Sequence, residues 1–311
     1  MTIIQLQYTI AVAEYGNFTV AANKSNVTQP TLSMQVQKLE EELGISIFNR
    51  NTKPIKTTTI GQKIIDQAKI IIQESNKMDT LIDNQKGVVQ GEFKLGIVPT
   101  VMPTLLPLFL NNFLKKFPKV SLKIEELNTR NFIDQICEEK IDAAIGATPL
   151  NNSKLLENPL YYEPFVAYVP NNHNLHKIET IEINDLENNK MLILEDGHCF
   201  RDQMINLCWS KDKSKANYNF DIKSGSFETM INLAEEGLGM TLLPYLHTLS
   251  LSKDKQKNLK FFNNPAPARE ISLIYSKSRL KLPIIYSLNK VISGIIKGKI
   301  MFENVKIVSP K

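Results

Sequence analysis

Cysteine is scarce in this chain, with three among 311 residues. So few thiols cannot build a disulfide scaffold, and any bond between them belongs to transient chemistry in a reducing cytosol. Glycine is sparse too, at 13, which excludes glycine-rich repeats and collagen. No apolar run approaches the roughly 18 residues that a membrane helix needs. The most apolar stretch, Val101 to Leu110, is short and contains two prolines. A basic leader with a small-residue cleavage site is missing, so a cytoplasmic protein without membrane contact is expected. The four histidines show no metal-ligand spacing. There is no Cys-x-x-Cys pair, P-loop, glycine-rich dinucleotide loop or nucleophile elbow. Neither a metal nor an organic cofactor is expected, and an enzyme is not.

Excess charge is also small. The net charge is +5, and much of the surplus lies at Lys281, Lys290, Lys297, Lys299, Lys306 and Lys311. The first 58 residues carry five basic groups (Lys24, Lys38, Arg50, Lys53, Lys56) against four acidic ones (Glu14, Glu40, Glu41, Glu42). Bulk charge therefore proves no nucleic-acid partner, and pattern must carry that case. At 42% hydrophobic and 22% charged, the chain can bury ordinary globular cores, and its length predicts two or three domains.

Residues 1–59 read as short helices and a small ribbon. Leu6, Ile10 and Ala13 recur at helical spacing before Gly16 and Asn17 interrupt them. A second short helix spans Thr19 to Lys24. Thr28 is a good N-cap, Pro30 suits the first turn, and Leu32, Val36, Leu39 and Leu43 share one face up to Gly44. The polar stretch from Asn49 to Thr59 suits a wing of two short strands. Residues 60–90 hold a long amphipathic helix with Ile64, Ala68, Ile71, Ile72, Ser75, Met78, Leu81 and Ile82 as its seam, then a hinge bracketed by Gly87 and Gly91. A helix that long and one-sided is expected to pair with a copy of itself. From Glu92 onward strands and helices alternate, which predicts an α/β domain over 91–300. Its first lobe is expected near 91–162 and 268–300, its second near 163–267, with a cleft between them. Residues 301–311 read as a basic, solvated tail.

The segment from Phe18 to Gly44, followed by Ile47 to Arg50, resembles the winged helix-turn-helix of LysR-type transcriptional regulators. Ala21 and Ala22 are small where two helices must cross. Gln29, Thr31, Ser33, Gln35 and Gln37 lie opposite the apolar face, where they can meet base edges and phosphates of double-stranded promoter DNA. The helix start at Thr28 and Pro30 can receive a phosphate, and Arg50, Lys53 and Lys56 would bring the wing to the backbone. Met34 departs from the pattern, since many relatives carry a polar or basic residue there. The resemblance implies a two-lobed, periplasmic-binding-protein-like regulatory domain after the linker helix.

Residues 192–208 carry the other informative pattern. Cys199 and Cys208 lie nine positions apart, and Cys199 stands beside His198 and Arg201. A cation near a thiol favours the nucleophilic thiolate, and a thiolate that meets peroxide becomes a sulfenic acid that a second thiol can trap. If Phe200 to Cys208 is helical, about 13.5 Å separates its ends at about 1.5 Å per residue. A disulfide needs Cα atoms within roughly 4.4–6.8 Å, so forming one would undo that helix. The same residues could instead be two unrelated thiols, one exposed and one buried beside Leu207. Cys137, with Phe132, Ile133 and Ile136, reads as a buried or half-buried small hydrophobe.

The run from Gly197 to Gln203 (GHCFRDQ), with Cys208 after it, resembles the peroxide-sensing members of the LysR-type group. So do Gly96 to Val101, Leu194 to Gly197, Ser226 to Met230 and Gly239 to Pro244. This resemblance implies that hydrogen peroxide oxidises Cys199, that Cys208 resolves the product as a disulfide, and that Thr100 and Thr129 orient the peroxide. Arg269 is a further candidate thiolate partner or a surface ion pair. The resemblance also implies a dimer of dimers, an activating contact with RNA polymerase, and a thiol reductant such as glutaredoxin or thioredoxin. Two other readings stay open. One is a LysR-type regulator that binds a small metabolite between its lobes, its thiols incidental. The other is a thiol peroxidase, in which an N-terminal DNA reader has no purpose.

Overall fold

The computed structural model describes residues 1–85, 89–187, 189–195, 197–208, 224–277, 281–300 and 305–310. It divides into two compact units, Met1–Lys86 and Gly87–Lys311.

In the first unit α1 (Ile3–Tyr15), α2 (Phe18–Lys24) and α3 (Gln29–Leu43) precede a ribbon of β1 (Phe48–Asn49) and β2 (Lys56–Thr57), and α4 (Thr59–Gln85) follows. Side-chain chemistry sets each boundary. Thr2 and Gln5 form a reciprocal capping box on α1, and Gly16 ends it in the left-handed region. Asn17 caps α2, Thr28 caps α3, and Gly44 at φ 66° ends α3. Leu6, Val12, Phe18, Ala21, Ala22, Leu32, Val36, Leu39, Ile47, Ile65 and Ala68 form one core. Ala21 and Ala22 are essentially inaccessible, as close helix crossing requires. Glu40 pins the wing. Its carboxylate accepts N–H bonds from Ile47 and Phe48, and Arg50 donates to it at 2.8 Å. Gly61 is the position where the first turn of α4 meets this ribbon. A Cβ there would lie 2.1 Å from the Ile47 carbonyl oxygen. Ile64, Ile71 and Ile72 pack on the core, whereas the side chains of Met78, Leu81 and Ile82 lie outside the described residues, as does Gly87.

The second unit opens with β3 (Gly91–Ile97), α5 (Met102–Lys116), β4 (Val120–Glu126), α6 (Thr129–Cys137), β5 (Ala143–Thr148) and β6 (Leu155–Tyr168). It continues with β7 (Thr180–Ile181), α7 (Ile183–Glu187), β8 (Met191–Leu192), α8 (Cys199–Cys208), α9 (Phe227–Glu235), β9 (Met240–Pro244), α10 (Tyr245–Thr248) and α11 (Lys253–Gln256). The last elements are β10 (Leu259–Phe262), β11 (Ala266–Ser276), α12 (Leu282–Ile296) and β12 (Val305–Ile307). Strands β3, β4 and β5 are parallel, as short strand–helix alternation predicts. β11 then runs antiparallel between β5 and β6, and the far end of β6 pairs with β9 and β10.

Two long strands, β6 and β11, therefore serve both lobes. One core gathers Phe93, Phe109, Phe113, Phe132, Ile145 and Ile285, and the other gathers Phe165, Tyr168, Phe200, Met204, Ile231 and Leu242. β11 starts at Ala266, between Pro265 and Pro267, residues that disguise a strand start in the sequence. α6 starts at Thr129, since Asn128 supplies the cap by accepting from the Asn131 amide. The end of the chain is not simply solvated. Residues 305–307 lie parallel to β11, with Ala266, Pro267 and Ala268 opposite Val305, Lys306 and Ile307.

Candidate redox site and nucleic-acid interface

The exposed side of α3 is built from the residues that the sequence nominates. Gln29, Pro30 and Thr31 are exposed, Ser33 and Gln35 are half-buried, and Leu32 and Val36 face the core. Thr28 stands at the helix start, where its hydroxyl accepts from the Thr31 amide. Met34 is 61% exposed, a large apolar side chain amid polar ones. Lys53 and Lys56 are exposed on the wing. Arg50 is already engaged. Its guanidinium bonds Glu40 and lies 5.3 Å from the Phe18 ring centre.

The two thiols occupy the two ends of α8. Cys199 is the first residue of the helix, and the amides of Arg201 and Asp202 both donate to the His198 carbonyl just before it. It packs against the first core, while Cys208 is sealed in the second. No cysteine is bonded to another. Burial, with the Glu187 carboxylate adding to it, pushes the Cys208 thiol up to about 12. The helix between them is anchored by rings. Phe200 packs against Phe165 at a 41° tilt with centroids 5.1 Å apart and meets Phe227 edge-on at 5.0 Å. Cys137 corrects an expectation: it is exposed. Phe132 and Ile136 are one turn apart on the buried face, and a further step of about 100° carries residue 137 past it.

A cavity of about 650 Å³ opens on Cys199. Asn128, Thr129, Arg130, Pro149, Asp202 and Pro310 are among its walls. The Thr129 hydroxyl is buried and has no hydrogen-bond partner among the described residues. Thr100 lies instead in a buried network. Arg269 Nη1 donates to the Thr100 hydroxyl at 3.0 Å, and Nη2 donates to the Thr100 carbonyl at 3.0 Å. The same guanidinium is bound by Glu163 Oε2 at 3.0 and 2.7 Å and lies 5.0 Å from the Phe200 ring centre. Arg269 is thus in a buried ion pair, not a surface one. It ties Thr100 to the ring beside Cys199. His198 stands 3.6 Å from Glu195, and Arg201 donates to the Leu194 carbonyl at 2.8 Å. Sequence reasoning missed Glu163, whose only local signal is a lone carboxylate in the apolar run YYEPFVAY. It also missed the roles of Gln203, which the run GHCFRDQ contains without marking it as a contact to the chain's end, and of Pro310, which carries no local signal.

The comparisons accord with this architecture. Residues 3–62 match the family of bacterial regulatory helix-turn-helix proteins of the lysR type, and residues 86–288 match the LysR substrate binding domain. The DNA-binding transcriptional dual regulator OxyR of Escherichia coli is 32% identical, over 88% of this chain and 89% of that one. A full-length OxyR variant from Pseudomonas aeruginosa superposes with a TM-score of 0.69 at 28% identity, covering 97% of this chain and 100% of that one. A peroxide-bound OxyR variant from Corynebacterium glutamicum gives 0.64 at 26% identity, over 96% and 93%. With a DNA-reading helix unit, a two-lobed α/β unit and these relatives, the chain belongs to the LysR family of transcription regulators, in its OxyR branch.

Proposed function

We propose that this protein activates transcription in response to hydrogen peroxide, and that the signal is a reversible disulfide between Cys199 and Cys208. One observation carries the reading: a single helix holds both thiols, with one at a cavity and the other sealed in a second core. The Cys199 thiolate attacks one peroxide oxygen, the O–O bond breaks, and a sulfenic acid and hydroxide result. The Cys208 sulfur then displaces the sulfenic oxygen as water, so two thiols supply the two electrons that reduce one peroxide to two waters. A thiol such as glutaredoxin or thioredoxin reverses the change. Cys208 cannot react where it lies, because about 13.5 Å of helix separates the two residues at about 1.5 Å rise each. Chemistry at the cavity therefore becomes a change of shape. Thr129 offers a hydroxyl to the peroxide, and the Arg269 network fixes Thr100 nearby. Gln29, Thr31, Ser33 and Gln35 face bases and phosphates, with Lys53 and Arg50 on the wing. Pairing through α4, a dimer of dimers, and contact with RNA polymerase complete the reading.

Dilute peroxide followed by mass-spectrometric disulfide mapping tests it. The expected product is a 199–208 linkage together with an altered promoter footprint, both abolished by Cys199→Ser. No linkage, with unchanged promoter output in Cys199→Ser, would overturn it. The cavity's size favours one second reading, a small metabolite as effector. A ligand that shifts the footprint of Cys199→Ser would establish that reading.

A further inference from the structure

The segment 305–310 reaches the redox helix from the far end of the chain. After β12 joins β11, the Val308 amide donates to the Ala268 carbonyl at 2.8 Å. The next two carbonyls turn to α8. Val308 accepts from Gln203 Nε2 at 2.8 Å, and Ser309 accepts from Asn206 Nδ2 at 3.3 Å. Pro310 is buried and forms part of the wall of the Cys199 cavity. Gln203 is completely inaccessible, and its Oε1 has no partner among the described residues. The bond to Val308 is what compensates the burial of its amide group. Gln203 and Asn206 lie three residues apart, so they present to one side of the helix, and both stand between the two cysteines.

We infer that Gln203 and Asn206 are positioning residues for the resolving step, and that the segment 308–310 is the latch that grips them. This rests on the Cys199–Cys208 reading above. Peroxide takes two electrons from Cys199 to give the sulfenic acid, with no need for the helix to open. The second step forms the S–S bond, breaks the S–O bond and releases water, and it requires the helix to unwind across residues 203 and 206. Both side-chain bonds to the tail must break first. The latch therefore sets how long the sulfenic acid waits and how strongly the reduced state is favoured. It also couples the redox helix to β11, whose Arg269 holds Thr100.

Quenched-flow mass spectrometry with dimedone trapping separates the two steps in the full-length protein. A chain stopped after Ile307 keeps β12 and loses both acceptor carbonyls. Its resolving step is expected to be roughly tenfold faster, as two hydrogen bonds of ordinary strength imply. Asn206→Ala, at a half-buried position, is expected to give roughly a threefold effect while Pro310 stays in place. Bonds made only by the reduced helix stabilise the thiol form, so their loss makes the midpoint potential more negative, by about 30 mV per tenfold for a two-electron couple. In the unaltered protein, the Val308 amide is expected to exchange faster after oxidation. If the stopped chain fails to fold, Asn206→Ala and the exchange measurement decide. A disulfide that forms at the same rate and potential in the variants, with Val308 protected as before, overturns the latch alone. Peroxide treatment that yields no 199–208 disulfide overturns both this inference and the function it rests on.

Discussion

Replacing Glu163 by glutamine should be the most destabilising conservative change in the regulatory unit. Glu163 and Arg269 are both about 1% exposed, and they meet at 2.7 Å. Each also holds backbone or hydroxyl partners: Glu163 accepts the Leu246 amide, and Arg269 donates twice to Thr100. Glutamine keeps an acceptor for Leu246 but leaves the guanidinium buried without a counter-charge. A guanidinium does not escape by losing its proton, so the whole penalty stands. Breaking such a pair from one side costs about 3–5 kcal/mol. For a unit of this size, each kcal/mol moves the melting temperature by about 2–4 °C, so the drop should be roughly 6–20 °C. Circular dichroism or calorimetry on reduced protein reads it directly. Adding Arg269→Met to Glu163→Gln removes the stranded charge and should recover more than half of the loss, because buried pairs give little net gain over well-packed neutral residues. A Glu163→Gln protein that melts within 2 °C of the parent, or a double variant that loses the sum of the two single effects, would refute the account, where 2 °C marks about 1 kcal/mol.

The Cys208 thiol adds a pH dependence. Burial holds it at about 12, above the roughly 8.5 of an unfolded cysteine, so the unfolded chain loses the proton first. Its contribution is complete below pH ~8.5 and is lost as pH rises toward 12, at up to about 1.4 kcal/mol per unit. Urea unfolding at several alkaline pH values should show that slope in the parent and a shallower one in Cys208→Ala; equal slopes would count against the buried thiol. If α3 enters the major groove, exposed Met34 is expected to touch a thymine methyl there. Exchanging thymine for deoxyuridine in a duplex selected for tight binding should weaken the parent about fourfold per contacted methyl, near 0.8 kcal/mol, and leave Met34→Ala unaffected. An equal loss in both proteins would place the methyl elsewhere.

What was legible in the sequence was local. Thr28, Pro30 and Gly44 announce where α3 starts and stops, because caps and breakers act on their own turn. Cys199 and Cys208 bound a helix that their intervening apolar residues permit. Contacts across the sheet were not legible. The bond from Glu163 to Arg269 spans 106 positions, and that from Gln203 to Val308 spans 105. Glu163 and Gln203 alone look like solvated polar groups, and only the fold brings them to Arg269 and Val308. Gly61 is similar: its need for a bare Cα comes from Ile47, fourteen residues away in the wing. Cys137 misled because a run of apolar neighbours suggests burial while the helical phase decides it.

The unequal anchoring of α8 also says which half should yield. At the Cys199 end, Phe200 is held between Phe165 and Phe227 and beneath the Arg269 guanidinium, which itself is fixed by four hydrogen bonds. Moving that ring would expose an aromatic side chain worth about 1.5–3 kcal/mol of burial and would unstack the charge above it. At the other end Leu207 and Cys208 are buried, and the side chains of Gln203 and Asn206 are bonded to a short segment. A sulfur as small as that of cysteine loses less on exposure than a phenyl ring. If the disulfide forms, the cheaper path is to keep residues 199–200 in place and carry Cys208 toward them. Hydrogen exchange resolved to single amides should then show residues 204–208 losing protection on oxidation while the Arg201 amide, which donates to the His198 carbonyl at 2.9 Å, keeps its own. Loss of protection at Arg201 before residue 206 would mean that the aromatic cluster at Phe200, and not the tail, is the weaker anchor.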